Sequence, residues 1–266
     1  CGGAAAATVA AQALAVALLL RSLAAMPAGT GPPLRGTGAG PVLRVLRGFG
    51  ATAGVMVARN WGKVVCFTFL ARQAALQGAV VSGAYALTFQ LGFATSQIAE
   101  SLATSTQVLL AQSLRGASDS FCSRRLAASH VVKRGLQLGL GLSAALAAAT
   151  VAGQAGLLGL MTSDGPVRAT AAAAMPWVLA AQAAKAMAYP TNGALMGAQD
   201  WRFSAVALWA AGLLGILSFQ AASALAGPGA AGLRELWAGL LGFFGSQLLL
   251  GLARIRSGRG PWSALR

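Results

Sequence analysis

Seven apolar runs, each about as long as a bilayer crossing, constrain this chain more than anything else in it. A membrane helix needs about 20 mostly apolar residues, because the hydrocarbon core offers no water to satisfy an open backbone. Such runs occupy residues 3–20, 50–71, 78–113, 135–160, 169–196, 203–226 and 236–253. The expected fold class is all-α, a polytopic membrane protein of about seven transmembrane helices. Only 9% of the residues are charged and 56% are hydrophobic, against about 25% charged in soluble domains.

The 20 Lys and Arg outnumber the 5 Asp and Glu, and they gather in the tracts between runs. If linker 21–47 faces the cytosol or its equivalent, that side collects Arg21, Arg35, Arg44, Arg47, Arg115, Arg124, Arg125, Lys133, Arg134, Arg202, Arg254, Arg256, Arg259 and Arg266. The other side keeps Arg72, Arg168 and Arg234. Cytoplasmic loops of membrane proteins carry this excess, so the charge reads as a topology signal and no nucleic-acid partner is expected. Cys1, Cys66 and Cys122 lack metal spacing or even pairing and are expected to be free thiols. The chain opens at Cys1 in an apolar run without a basic flank, so this run is read as a span, not a signal peptide, in part of a longer protein.

Linker 21–47 holds Pro27, Pro32, Pro33 and Pro41 among many glycines, a composition that disfavours helix and suits a flexible connection. Its end, from Pro41 to Arg47, alternates apolar and basic residues at helical spacing and suits a short interfacial helix.

The third run carries Glu100 at its centre, with Gln90, Ser96, Gln97, Ser101, Thr104, Ser105, Thr106 and Gln107 around it. A carboxylate in an apolar span is costly unless it faces protein or water, which marks it as a functional candidate. On a helix, Gln97, Ser101, Thr104 and Gln107 share its face. Glu100 reads as a proton- or cation-coupling group, or as a structural partner of Arg59, Lys63 or Lys185; the neighbouring hydroxyls read equally as interhelical hydrogen bonds. Arg59, Asn60 and Lys63 form a second polar cluster, whose cations either snorkel to the interface or pair with Glu100. Lys185, mid-span, could meet Glu100 or an anionic substrate.

Leu114–Asp119 and Leu195–Asp200 echo each other, each with Gly suited to a left-handed C-cap and Asp suited to the next N-cap. Asp164 is another expected cap. Pro190 and Asn192, in Tyr189–Gly193, could break run five at a binding site or merely kink it. His130, the lone histidine, lies in a basic loop, and no nucleophile–base pair, phosphate loop or metal cluster is visible. The chain does not read as an enzyme, and no cofactor is expected beyond a coupling H⁺ or Na⁺.

Arg72-Gln73, Gln90, then Ile98-Ala-Glu-Ser-Leu-Ala103 with Gln107 resemble the C-terminal half of multidrug and toxic compound extrusion (MATE) transporters, nearest the DinF-like branch with plant plastid members. The likeness covers about residues 48–256. It implies a twelve-helix parent of two six-helix lobes. Residues 1–20 would then be the last N-lobe helix, 21–47 the inter-lobe loop, 48–256 the C-lobe and 257–266 a tail. The expected partners are the bilayer, a small organic solute and the N-terminal lobe; the expected location is a plastid envelope, or a plasma or vacuolar membrane. By resemblance Glu100 matches the family's acid and Gln107 its Gln. Asn192 stands where Asp before Gly is usual, so that site cannot titrate; Tyr85-Ala86 replaces the branch's usual His-Gln. The expected function is export of an organic solute in exchange for H⁺ or Na⁺, Glu100 titrating and Asn60, Gln90, Gln97, Gln107, Lys185 and Asn192 lining the cavity. The alternatives are a lipid-linked precursor flippase, with a cavity lined by Arg59, Lys63 and Lys185, and a non-transporting fragment.

Overall fold

The computed structural model describes residues 2–24, 39–115, 121–227 and 232–265. Among these, seven α-helices account for nearly every residue and no strand occurs: α1 Gly2–Ala24, α2 Ala39–Leu76, α3 Ala79–Arg115, α4 Phe121–Met161, α5 Gly165–Gly197, α6 Trp201–Ala226 and α7 Leu233–Ser257. A short 3₁₀ turn, Gly260–Leu265, closes the chain. The protein is an all-α integral membrane protein. All seven expected runs are helical. Two compact units divide the chain at Gly50: Cys1–Gly50 holds α1 and the first turns of α2, and Ala51–Arg266 holds the remainder.

Helices α6, α7 and Arg125–Met161 of α4 are long and apolar enough to cross a membrane by composition alone. Helices α2, α3 and α5 are long enough, but polar residues dilute them, Arg59, Asn60 and Lys63 in α2, Glu100 and its neighbours in α3, and Gln182 and Lys185 in α5. Those three helices build the candidate site.

The core is made of close helix pairs. Helix α3 packs on α5, α5 on α7 and α7 on α6, while α4 covers α3 and α5. Without a hydrophobic force to drive helices together in lipid, small residues allow backbones to approach. Gly193 and Gly197, one turn apart on α5, sit on the α3 backbone: a Cβ on Gly193 would overlap the Ala103 carbonyl, and one on Gly197 would lie 2.6 Å from the Gln107 oxygen. Because 103 and 107 meet 193 and 197 in the same order, α3 and α5 run parallel. A second seam joins α2 to α6, where a Cβ on Gly212 would sit 2.6 Å from the Gly62 oxygen and the Trp209 indole donates to the Ala58 carbonyl at 2.9 Å.

Several sequence expectations are corrected here. Residues 25–38 lie outside the described residues, but the end of the supposed linker is helical: Pro41–Arg47 is the opening of α2, not a separate interfacial helix. Pro41 fits there because the N–H groups of a first turn need no intrahelical acceptor. Helix α4 begins at Phe121, so His130 lies on a helix, exposed, and not in a loop. Cys66 is a free, buried thiol; Cys1 is outside the described residues. Asp119 is too. Asp164 caps α5, accepting from the Val167 N–H at 3.3 Å.

Asp200 stands at the N-cap of α6, yet its side chain makes no cap bond. It accepts from Arg254 Nε at 2.7 Å and from the Trp262 indole at 3.1 Å. A buried carboxylate so placed gains more from a guanidinium and an indole than from its own helix. Gly197 is not left-handed either; the positive φ of that turn falls on Gln199, at 58°, and close approach to α3 explains the glycine.

Replacing Gly193 with Leu is expected to remove most folded protein from detergent extracts, while Gly156→Leu, at an open position, is expected to leave yield unchanged. Size-exclusion profiles of fluorescent fusions would check both. The analogous loss at Arg254→Ala, which strands a buried carboxylate, is expected to reach about 3–5 kcal/mol, readable as a drop in thermal midpoint.

Candidate functional site

The parallel seam sets the geometry of the site. With Ala103 on Gly193, Glu100 falls level with Tyr189 and Pro190, Ser96 with Ala186 to Tyr189, and Gly92 with Gln182 to Lys185. The hydrogen bond between Tyr189 and Ser96 fits this register, and Lys185 Nζ donates to the Gly92 carbonyl. Pro190 does not break α5. The helix is continuous from Gly165 to Gly197 through both Pro176 and Pro190, and the Pro190 ring fills the space beside Gly139 of α4.

Glu100, Gln97, Ser101 and Thr104 are exposed along one face of α3, and Gln107 at the end of that stripe is half-buried. Ser96 is an interhelical link, to Tyr189 of α5, whereas four other hydroxyls of α3 are not. Ser101 donates to the Ile98 carbonyl at 2.7 Å, Thr104 to Glu100 at 3.0 Å, Ser105 to Ser101 at 2.9 Å and Thr106 to Leu102 at 2.8 Å. Each of these four satisfies itself on its own helix, as Ser and Thr do in apolar surroundings.

Arg59 neither snorkels nor ion-pairs with Glu100. Its Nε donates to Ser204 Oγ at 2.8 Å, and its terminal nitrogens reach Asn192 Oδ1 at 2.6 Å and Asn60 Oδ1 at 3.4 Å. Asn192 thus serves as the neutral acceptor for a guanidinium that ties α2 to α5 and α6. Glu100 lies within electrostatic reach of both Arg59 and Tyr189. Asn60 itself is exposed. Gln90 is exposed on the wall of a shallow, open cleft with Thr68, Ser82 and Tyr85.

Between α2, α3, α5 and α7 lies a more enclosed cavity of about 190 Å³. Its walls are Lys63 and Phe67 from α2, Phe89, Gly92 and Ser96 from α3, Lys185 and Tyr189 from α5, and Trp237, Leu240 and Phe244 from α7. The rings brace one another edge to face, Phe67 against Phe89 at 5.6 Å and against Phe244 at 6.2 Å. The Trp237 indole is fixed by donating to Thr88 Oγ1 at 3.0 Å. Lys63 lies 5.8 Å from the Phe67 ring centre and Lys185 lies 5.6 Å from that of Phe244, within cation–π range. Lys63, though exposed, therefore keeps its ammonium group beside this cavity. Of the residues expected to line a transporter cavity, Lys185 alone lines this one; of the three expected in a flippase cavity, Lys63 and Lys185 do. Its aromatic wall was not anticipated, because Phe67, Phe89, Trp237 and Phe244 read as ordinary apolar span residues; only Lys63 and Lys185 signalled it.

The MatE family model matches residues 46–218, which span α2 through most of α6. The chain belongs to the MatE family. Among curated relatives, Protein DETOXIFICATION 42 of Arabidopsis thaliana is 30% identical over 201 residues, 76% of this chain and 37% of that protein. The chloroplastic Protein DETOXIFICATION 44 is 26% identical over 263 residues, 99% of this chain and 47% of the relative. The chloroplastic Protein DETOXIFICATION 45 is 26% identical over 211 residues, 79% and 36% of the two chains. This MATE chain spans less than half the length of each. No solved structure matches it.

A test of the Arg59 junction follows from its geometry. Hydrogen bonds to a charged group contribute about 1.5–3 kcal/mol, so Asn192→Ala is expected to lower stability by that order, read as a drop in thermal midpoint. Asn192→Asp, which keeps the acceptor and adds a countercharge, is expected to equal or exceed the parent. Differential scanning fluorimetry in detergent would compare the two.

Proposed function

We propose that this chain is the C-terminal lobe of a MATE-type antiporter that exports a small organic solute in exchange for H⁺ or Na⁺, with Glu100 carrying the coupling ion. The observation that carries this reading is the exposed polar stripe of α3. In a bilayer, a face bearing Glu100, Gln97, Ser101 and Thr104 cannot lie against lipid at acceptable cost. It faces water or a second lobe, which is where a transport cavity belongs. The chain's span of less than half its relatives' length supports such a partner lobe. The chloroplastic relatives favour a plastid envelope.

Arg59 and Tyr189 give the coupling its lever. An ionised Glu100 offsets the guanidinium charge, whose direct partners Asn192, Ser204 and Asn60 are all neutral. Loading a proton or a cation on Glu100 removes that offset, so the two ion states of the lobe differ in electrostatic energy. Such a difference is what lets an ion gradient bias a conformational equilibrium. No covalent chemistry is involved.

A second reading, a lipid-linked precursor flippase, draws on Lys63 and Lys185 in the aromatic cavity, since two ammonium groups would suit a phosphate. Arg59 does not join them, being engaged with Asn192 and Ser204.

Vesicles containing the full-length protein would decide between a coupling and a structural Glu100. Glu100→Gln is expected to abolish at least nine-tenths of gradient-driven efflux at normal membrane abundance. Efflux equal to the parent's would reject Glu100 as the coupling group.

A further inference from the structure

We propose that the cavity between α2, α3, α5 and α7 binds a small amphipathic organic anion, a single apolar ring held among Phe67, Phe89 and Phe244 with its anionic group between Lys63 and Lys185. The proposal deepens the transporter reading and rests on it for its biological meaning, but binding itself can be measured without transport.

Three features of the cavity lead there. First, its charge is one-sided. Lys63 and Lys185 are close enough to repel each other, and among the described residues no carboxylate pairs with either. A cation–π contact holds an ammonium group without neutralising it, and the Gly92 carbonyl occupies one of the three N–H groups of Lys185. An anion placed between the two ammonium groups relieves their repulsion and accepts hydrogen bonds from both. A cation placed there would meet two like charges and no acid in the lining.

Second, the body of the cavity is apolar and aromatic. A polycarboxylate would leave most of its oxygens against rings, unsolvated, which is costly. A flat apolar ring instead fits the edge-to-face packing of Phe67 and Phe89. Third, the size is restrictive. At about 190 Å³ the space is well below the roughly 300–1,000 Å³ of sites for drug-sized ligands, so a single-ring solute is the natural occupant. Beside it, Gln182 is buried on α5 with both amide atoms unpartnered, one turn before Lys185 and next to Gly92.

The test is equilibrium binding of radiolabelled benzoate to the purified full-length protein in detergent, without any gradient. Benzoate is expected to bind saturably, with neutral benzamide and cationic benzylammonium at least tenfold weaker competitors. Citrate, an anion without an apolar ring, is expected to compete at least tenfold more weakly than benzoate. Phenyl phosphate distinguishes the head group: stronger competition than benzoate assigns the site to phosphates, weaker competition to carboxylates. Lys63→Gln, at a position exposed enough to tolerate the change, is expected to weaken benzoate binding at least fivefold. The Lys63→Gln, Lys185→Gln double variant is expected to abolish it, and Arg168→Gln, remote from the cavity, to leave it unchanged. Absence of benzoate binding, binding unaffected by Lys63→Gln, or benzamide, benzylammonium or citrate competing as well as benzoate would overturn the proposal. Lysine-dependent binding in a protein whose efflux ignores Glu100→Gln would reject the coupling reading and keep the site; Glu100-dependent efflux without lysine-dependent binding would do the reverse.

Discussion

The contact of Gly193 and Gly197 with the α3 backbone is the constraint from which the site follows. It forces α3 and α5 into parallel register, so that the polar residues of one helix meet those of the other at fixed levels. Glu100 comes beside Tyr189, Ser96 bonds Tyr189, and Lys185 reaches Gly92. A bulkier residue at either glycine would part the backbones and uncouple these pairs together. The conserved logic is physical: in lipid, helices gain from close packing and not from leaving water.

Around this seam the lobe sorts its polar groups by whether they can be satisfied inside. Arg59 finds Asn192 and Ser204, Asp200 finds Arg254 and Trp262, and Ser101, Thr104, Ser105 and Thr106 of α3 find their own backbone. What these leave unneutralised is informative. Glu100 has no ion pair among the described residues and lies on an exposed face; Lys63 and Lys185 line an aromatic cavity without a carboxylate. Charges that a membrane protein retains without structural neutralisation are the ones available to a moving ion or solute.

The number and placement of the helices could be read from the sequence because hydropathy alone dictates membrane spans, and Asp164 could be read as a cap because capping is local. Longer-range chemistry could not. Asp200 occupies a cap position, but its partners Arg254 and Trp262 lie more than fifty residues on, and nothing near Asp200 announces them. The Tyr189–Gly193 stretch read equally as a break or a kink because Pro190 removes a backbone donor; tertiary packing against Gly139 and α3 accompanies a continuous α5. The aromatic cavity was hidden for a similar reason, since phenylalanines in an apolar span carry no signal until helices bring them together.

Contact of the α3 stripe with water and not lipid is what coupling through Glu100 requires. It is tested most directly by labelling single cysteines at Gln97, Ser101 and Thr104, in full-length protein whose native cysteines are replaced by serine, with a membrane-impermeant maleimide. Leu217, exposed on the apolar span α6, gives the lipid-facing reference. All three α3 positions are expected to label at least tenfold faster than the Leu217→Cys protein. Labelling at or below that reference would contradict it.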